Sequence, residues 1–296
     1  MARAALARGV ALNGAAAAGS GSETLERAHA KVNLGLSVLA RRGDGYHEIE
    51  TVMVSLALHD EVAARVVASG VRLVVEGAEL SAGEDNLAVR AARAYLGAAR
   101  ASAGLALRLR KRIPVAAGLG GGSSDAAAVL RAAARLLPAD VDLLALGRAL
   151  GSDVPFFLSG LPAALARGRG ERLEPLSLPP VWLVLAFPGV PVRAADAYQA
   201  LQSFTPRLRP EALVQRLQSG GDPGLVNALQ PGVVRAHPVV RDVVKSLRAE
   251  GLRGAVMSGS GSCCLALAAD EQAAREAAER LRAGHPGWTI HATHSA

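Results

Sequence analysis

A glycine-rich loop constrains this chain more than any other segment. Residues 114–125 read PVAAGLGGGSSD. Before the loop, Leu105, Leu107 and Leu109 alternate with Arg108 and Arg110, the pattern of a half-buried strand. Pro114 stops that strand. After the loop an Ala/Leu segment reads as a helix to about Leu137, with Ser123 or Ser124 as its cap. Glycine tolerates positive φ and lets backbone approach a ligand. Successive N–H groups in such a loop form an anion-binding concavity. The helix start adds free N–H groups and roughly half a positive charge. Strand, glycine loop and helix together are a way to hold phosphate. No Gly-Lys-Ser/Thr follows, so this is not a Walker A loop. Ser123 stands where a dinucleotide fingerprint needs a third Gly or Ala. The alternative is a flexible surface turn.

The flanking sequence supplies the rest of a mixed fold. Residues 27–40, 50–58 and 71–76 read as strands, and Arg41 to Tyr46 as a reversal at Asp44-Gly45. Residues 86–99 read as a helix capped by Asp85 or Asn86. A second helix runs from about Val141 to Leu150 and ends at Gly151. Residues 181–186 form an apolar strand. Helices at 239–250 and 270–283 flank strands near Ala255 and at 263–268. Helices and strands mixed in this way imply an α+β protein in two lobes, divided between residues 165 and 205.

Composition weighs against several classes of function. The formal charge of +7 comes from scattered arginines, and aromatics are only 3%. Nothing is concentrated or aromatic enough for a nucleic-acid surface. The longest apolar run, residues 154–166, is broken by Pro155, Gly160 and Pro162, and a membrane helix needs roughly 18 uninterrupted residues. The two cysteines, Cys263 and Cys264, are adjacent and read as buried thiols of a reduced, cytoplasmic protein. No metal-ligand cluster is visible. Residues 1–24 read as a disordered extension, with Ala and Gly but too little Leu, Ile or Phe for a signal sequence.

Three segments resemble the GHMP kinases in the right order. They are AKVNL at residues 30–34, the loop with its helix start, and MSGSG at 257–261. Within that superfamily, RGDGYH (42–47), EDNL (84–87) and GSDVPFF (151–157) resemble the 4-diphosphocytidyl-2-C-methyl-D-erythritol kinases. The resemblance spans residues 26–290. It implies an N-terminal lobe like ribosomal protein S5 domain 2 at residues 25–180, which would be the ATP-binding domain. A ferredoxin-like C-terminal lobe would occupy 181–296. It also implies phosphorylation, by ATP with Mg²⁺, of the 2-hydroxyl of a small cytidine diphosphate-linked methylerythritol, by a monomer or homodimer. Competing readings are another GHMP kinase, of homoserine or mevalonate type, and a non-catalytic nucleotide- or RNA-binding protein on the same scaffold.

Phosphoryl transfer needs a group to receive the acceptor's proton and a cation beside the moving phosphoryl. The family's catalytic aspartate falls on Asp153 and its lysine on Lys31, one of three lysines in an arginine-biased chain. A nearby cation makes Asp153 an orienter and late proton acceptor rather than a strong base. Read from residues alone, Asp153 could equally be a helix N-cap. The ATP site would be Pro114, Val115, Ala116, Ala117, Gly118, Leu119, Gly120, Gly121, Gly122, Ser123 and Ser124. The resemblance places Tyr46 and His47 on the cytosine, with Tyr198 on its opposite face and Asn33 as a polar contact. Two departures stand out. Val192-Arg193-Ala194 replaces the family's Ser-Thr, and Asn227-Ala228-Leu229-Gln230 replaces Asn-Asp-Leu-Glu.

Overall fold

Two long strands organise the chain. β1 (Glu23–Arg41) and β2 (His47–Val67) run antiparallel through the reversal at Asp44-Gly45, where Gly45 has φ +84°. The computed structural model describes residues 23–296. The extension expected over residues 1–24 therefore lies outside the described residues, except that Glu23 and Thr24 already belong to β1.

One edge of β2 carries β1. The other carries β4 (Gly104–Arg110) along residues 61–67 and β5 (Ala163–Gly168) along 49–54, which explains why β2 is 21 residues long. β3 (Val71–Glu76) lies parallel to β4, and β6 (Arg172–Pro175) lies antiparallel to β5. Helices α1 (Leu87–Ala98), α2 (Gly121–Leu136), α3 (Leu143–Leu150) and α4 (Val154–Ser159) cover one face of this sheet. Asn86 caps α1 by accepting the Ala88 N–H. Ser123 and Ser124 do not cap α2. Gly120 takes the N-cap position at φ +73°, which puts both serines inside the first turn.

A second sheet of β7 (Trp182–Phe187), β8 (Arg253–Met257), β9 (Cys264–Ala268) and β10 (Thr289–His294) is wholly antiparallel, in the order β10-β7-β9-β8. Helices α5 (Ala194–Gln199), α6 (Pro210–Gln218) and α7 (Gln230–Ala236) precede α8 (Val239–Ala249) and α9 (Glu271–Gly284). α8 and α9 pack Val240, Val243, Leu247, Ala274 and Leu281 onto one sheet face. This is the ferredoxin-like order. The free faces of the two sheets meet in a shared core of Val32, Leu34, Val52 and Val54 against Leu183, Leu185 and Leu265. β7 reads as continuously apolar for that reason. Leu183 and Leu185 face the first sheet while Val184 and Ala186 face α8 and α9. The layers run helix, sheet, sheet, helix. Both cysteines are free and buried. Among the described residues, no helix is long and apolar enough to cross a membrane.

A buried ionic cluster fastens the approach to the glycine loop. Lys111, just beyond β4, donates to Asp60 Oδ2 (2.5 Å) and Asp125 Oδ2 (2.7 Å). Asp60 Oδ1 accepts the N–H groups of Arg112 and Ile113. The cluster thereby ties β2, the loop entry and α2 together. It sets one cation against two carboxylates, and Asp125 Oδ1 is buried without a hydrogen-bond partner. Burial, with Asp60 adding and Lys111 opposing, lifts Asp125 to about 7. A carboxyl raised on folding stabilises the protein below its unfolded value, about 3.9, and that contribution is lost as pH climbs through about 7. Asp125→Asn should remove this dependence. Urea midpoints measured from pH 4 to 8 should show the variant gaining on wild type as pH rises; a constant gap would refute the assignment.

Candidate active site

β1 presents Lys31 and Asn33 between two irregularities. Its register with β2 shifts between His29 and Lys31, and again between Asn33 and Leu36. Such bulges re-aim side chains. Lys31 is 4% exposed. Its Nζ donates to Asn33 Oδ1 (2.8 Å) and to the Gly118 carbonyl (3.2 Å), and stands 3.4 Å from Asp153 Oδ2. The ammonium is thus hydrogen-bonded to two neutral acceptors and paired in charge with the Asp153 carboxylate. Asn33 in turn donates from Nδ2 to Thr51 Oγ1 (2.7 Å), and the Thr51 hydroxyl donates to the Gly35 carbonyl (2.6 Å).

Asp153 occupies the N-cap position of α4, yet its side chain makes no capping bond. Pro155 in the first turn lacks an N–H, which leaves the cap one donor fewer to serve. The carboxylate turns to Lys31 instead and keeps 27% of its side-chain surface exposed. Both the cap position and the ionic role inferred from sequence therefore describe this residue, but only the second engages its side chain.

The carbonyls of the glycine loop are held from both sheets. Ala116 accepts from Val192 N–H (3.1 Å), Ala117 from Cys263 N–H (3.2 Å), and Leu119 from Lys31 N–H (2.9 Å). Gly118 accepts from Lys31 Nζ and from Ser258 Oγ (3.3 Å). The first helical bond of α2 runs from Ser124 N–H to the Gly120 carbonyl, so the N–H groups of Gly121, Gly122 and Ser123 stand outside the ladder. Free N–H groups at a helix start are the kind of donors that an anion can use. Gly118 has φ +78°, and a Cβ there would lie 2.3 Å from the Ser258 carbonyl oxygen. Asn227 holds the MSGSG turn by donating to the Met257 and Gly259 carbonyls, both at 2.8 Å. Gln230 Oε1 accepts the Met257 N–H at 2.8 Å. The neutral Gln230 thus serves as a structural acceptor.

Two cavities share the loop as a wall. The larger, about 1070 Å³, is lined by Lys31, Asn33, Tyr46, His47, Asp153 and Tyr198. The smaller, about 380 Å³, is lined by Ser81, Asn86, Lys111 and the whole of residues 114–123. Ala116, Gly118, Gly120 and Ser123 line both. Ser124 joins neither; it is buried and faces Phe156 and Phe157 on the far side of α2. His47 and Tyr198 stack on each other, centroids 5.0 Å apart and planes 17° apart, rather than standing on opposite sides of an open slot. The Arg169 guanidinium lies 4.7 Å from the Tyr46 ring centroid. Burial, with the charge of Arg41, holds His47 below the ordinary histidine range. Burial, with the Asp153 carboxylate adding, pushes the Tyr198 hydroxyl up and keeps it protonated.

Family models match the chain twice, "GHMP kinases N terminal domain" at residues 86–161 and "GHMP kinases C terminal" at 205–287. A 4-diphosphocytidyl-2-C-methyl-D-erythritol kinase of Thermus thermophilus is 49% identical over 263 residues, covering 88% of this chain and 94% of its own. That of Deinococcus radiodurans is 50% identical over 271 residues, covering 89% and 90%. This chain belongs to the 4-diphosphocytidyl-2-C-methyl-D-erythritol kinase family. A crystal structure described as 4-(cytidine 5'-diphospho)-2C-methyl-D-erythritol kinase superposes at TM-score 0.83 and 47% identity, over 92% of this chain and all of that one. The homoserine kinase of Cytophaga hutchinsonii superposes at TM-score 0.63 and 21% identity, which shows the shared fold alone. The GHMP fold of two α+β lobes is thus the one expected from the family's motifs. Thr51, Ser258 and Arg169 complete the site and escaped sequence reasoning. Ser258 alone had a signal, its place in the MSGSG motif.

Gly118→Ala should combine left-handed strain with a backbone clash and push the loop off Ser258. Calorimetric titration with ATP should show affinity reduced by roughly tenfold or more, for about 1.4 kcal/mol of added strain. Unchanged ATP affinity would show that the loop tolerates a Cβ.

Proposed function

We propose that this chain transfers the γ-phosphoryl group of ATP to the 2-hydroxyl of 4-diphosphocytidyl-2-C-methyl-D-erythritol, a step in the non-mevalonate route to isoprenoid precursors. The observation that carries this reading is the loop shared by two cavities, with Lys31 and Asp153 at the larger one. ATP lies along residues 114–123, its nucleoside in the smaller cavity and its γ-phosphate over the first N–H groups of α2. The acceptor fills the larger cavity. Its hydroxyl approaches Asp153, which orients it and takes its proton late, while Lys31 faces the transferring phosphoryl. Asn33, which holds Lys31, also borders the acceptor. Tyr46, His47 and Tyr198 receive the cytosine.

Magnesium fits without a protein cage. Among the described residues no group of three His, Cys, Asp or Glu could hold a metal. Mg²⁺ characteristically needs only one or two protein groups besides phosphates and water. Asp153 and Ser123 line the same cavity and are the groups placed to meet it. Bound there, the ion would neutralise charge on the β- and γ-phosphates. We place the lobe boundary at residues 180–181, between the last strand of the first sheet and the first of the second. A reduced cytoplasm suits the two free, buried thiols.

Two measurements test these roles. In a coupled ADP-release assay with Mg-ATP and this acceptor, Asp153→Asn should lower kcat by roughly 10² or more. Full activity in that variant would remove Asp153 from the reaction. The neutral His47 imidazole carries one donor and one acceptor for the base edge. Acceptor KM should therefore rise as pH falls through the lowered His47 value, and His47→Ala should erase that limb. An identical acid limb in both proteins would assign it elsewhere.

A further inference from the structure

The chain has nine aromatic residues, four Phe, three Tyr and two Trp. Only Tyr46 (52%) and Phe204 (54%) are more than half exposed, and both line the larger cavity. A single exposed apolar side chain needs no explanation. Two exposed rings facing one cavity, in a chain this poor in aromatics, do.

Phe204 is not on a loose loop. It lies in the irregular segment between α5 and α6, which is fastened to both long strands. Thr205 N–H donates to the Val38 carbonyl (2.8 Å), and Val38 N–H donates to Thr205 Oγ1 (3.1 Å). Leu208 N–H donates to Glu50 Oε2 (2.8 Å). The backbone on the C-terminal side of the ring is thus fixed, while the ring itself remains bare. Tyr198, expected to cover one face of the base, already has His47 stacked on it. The remaining exposed aromatic surface of the cavity is on Tyr46, one face of which meets the Arg169 guanidinium, and on Phe204, whose ring has no such partner.

We propose that Phe204 is a base-contacting wall of the acceptor site, selecting a substrate that carries a planar heterocycle. The proposal rests on the cytidine-linked acceptor named above. Base–aromatic stacking is sequence-tolerant, so Phe204 supplies affinity and His47 supplies discrimination of the base edge.

The test uses the full chain and cytidine 5'-diphosphate as probe. Titration calorimetry of wild type, Phe204→Ala and Phe204→Trp is paired with acceptor kinetics. Phe204→Ala should weaken the probe and raise acceptor KM by roughly ten- to a hundredfold. Its kcat, ATP KM and melting temperature should not move, because the ring packs in no core. Phe204→Trp should keep wild-type affinity, and its emission should be quenched by the probe. If wild type binds the probe and Phe204→Ala binds it equally well, the inference is overturned while the proposed function stands. If wild type neither binds the probe nor turns over the cytidine-linked acceptor, both are overturned.

Discussion

Four consecutive carbonyls, from Ala116 to Leu119, accept hydrogen bonds from donors that belong to both sheets. The site depends on this arrangement. A glycine-rich segment has the largest conformational entropy to lose on folding. Holding its carbonyls fixes the peptide planes and leaves the N–H groups at the start of α2 for an anion. The same bonds join the lobes. Val192, Ser258 and Cys263 come from the second sheet's half of the chain, and Lys31 comes from β1. The glycine loop and the lobe interface are therefore one structure, and a disturbance of either reaches the other.

Lys31 is the clearest instance of that coupling. Its main-chain N–H holds Leu119 while its ammonium holds Gly118, Asn33 and Asp153. Burying a cation is unfavourable unless its donors are satisfied. The neutral acceptors Asn33 and Gly118 meet part of that need, which leaves Asp153 partly exposed and open to an incoming hydroxyl. An arginine, with its planar fork, would not reproduce this compact point charge.

Much of this was legible in the sequence where the signal was local. The glycine spacing announced the loop, and Asp85-Asn86 announced the cap of α1, which falls on Asn86. Family motifs supplied Lys31, Tyr46, His47 and Tyr198 by position. What remained hidden was set by packing. The run from Val154 to Ala166 showed its breaks at Pro155, Gly160 and Pro162 but not that Gly160, at φ +67°, separates a helix, α4, from a strand, β5. β6, β10 and the short helix α5 carry weak periodicity and were not foreseen. The pairing of His47 with Tyr198 joins rings 151 positions apart (198 − 47) and has no sequence signal. Arg169 over Tyr46 is likewise a tertiary contact, lost among many surface arginines. Ser123 and Ser124, indistinguishable in sequence, separate once the helix phase is known, the first into the cavity and the second into the core.

The central claim is that the shared loop delivers a phosphoryl group from one cavity to a hydroxyl in the other. The most direct test follows ³¹P resonances during reaction of the wild-type chain with Mg-ATP and 4-diphosphocytidyl-2-C-methyl-D-erythritol. The predicted result is loss of the γ-phosphate signal, matched by ADP and by one new phosphomonoester, with the acceptor's own diphosphate signals retained. Inorganic phosphate in place of the ester, or growth of the acceptor's diphosphate chain, would contradict it.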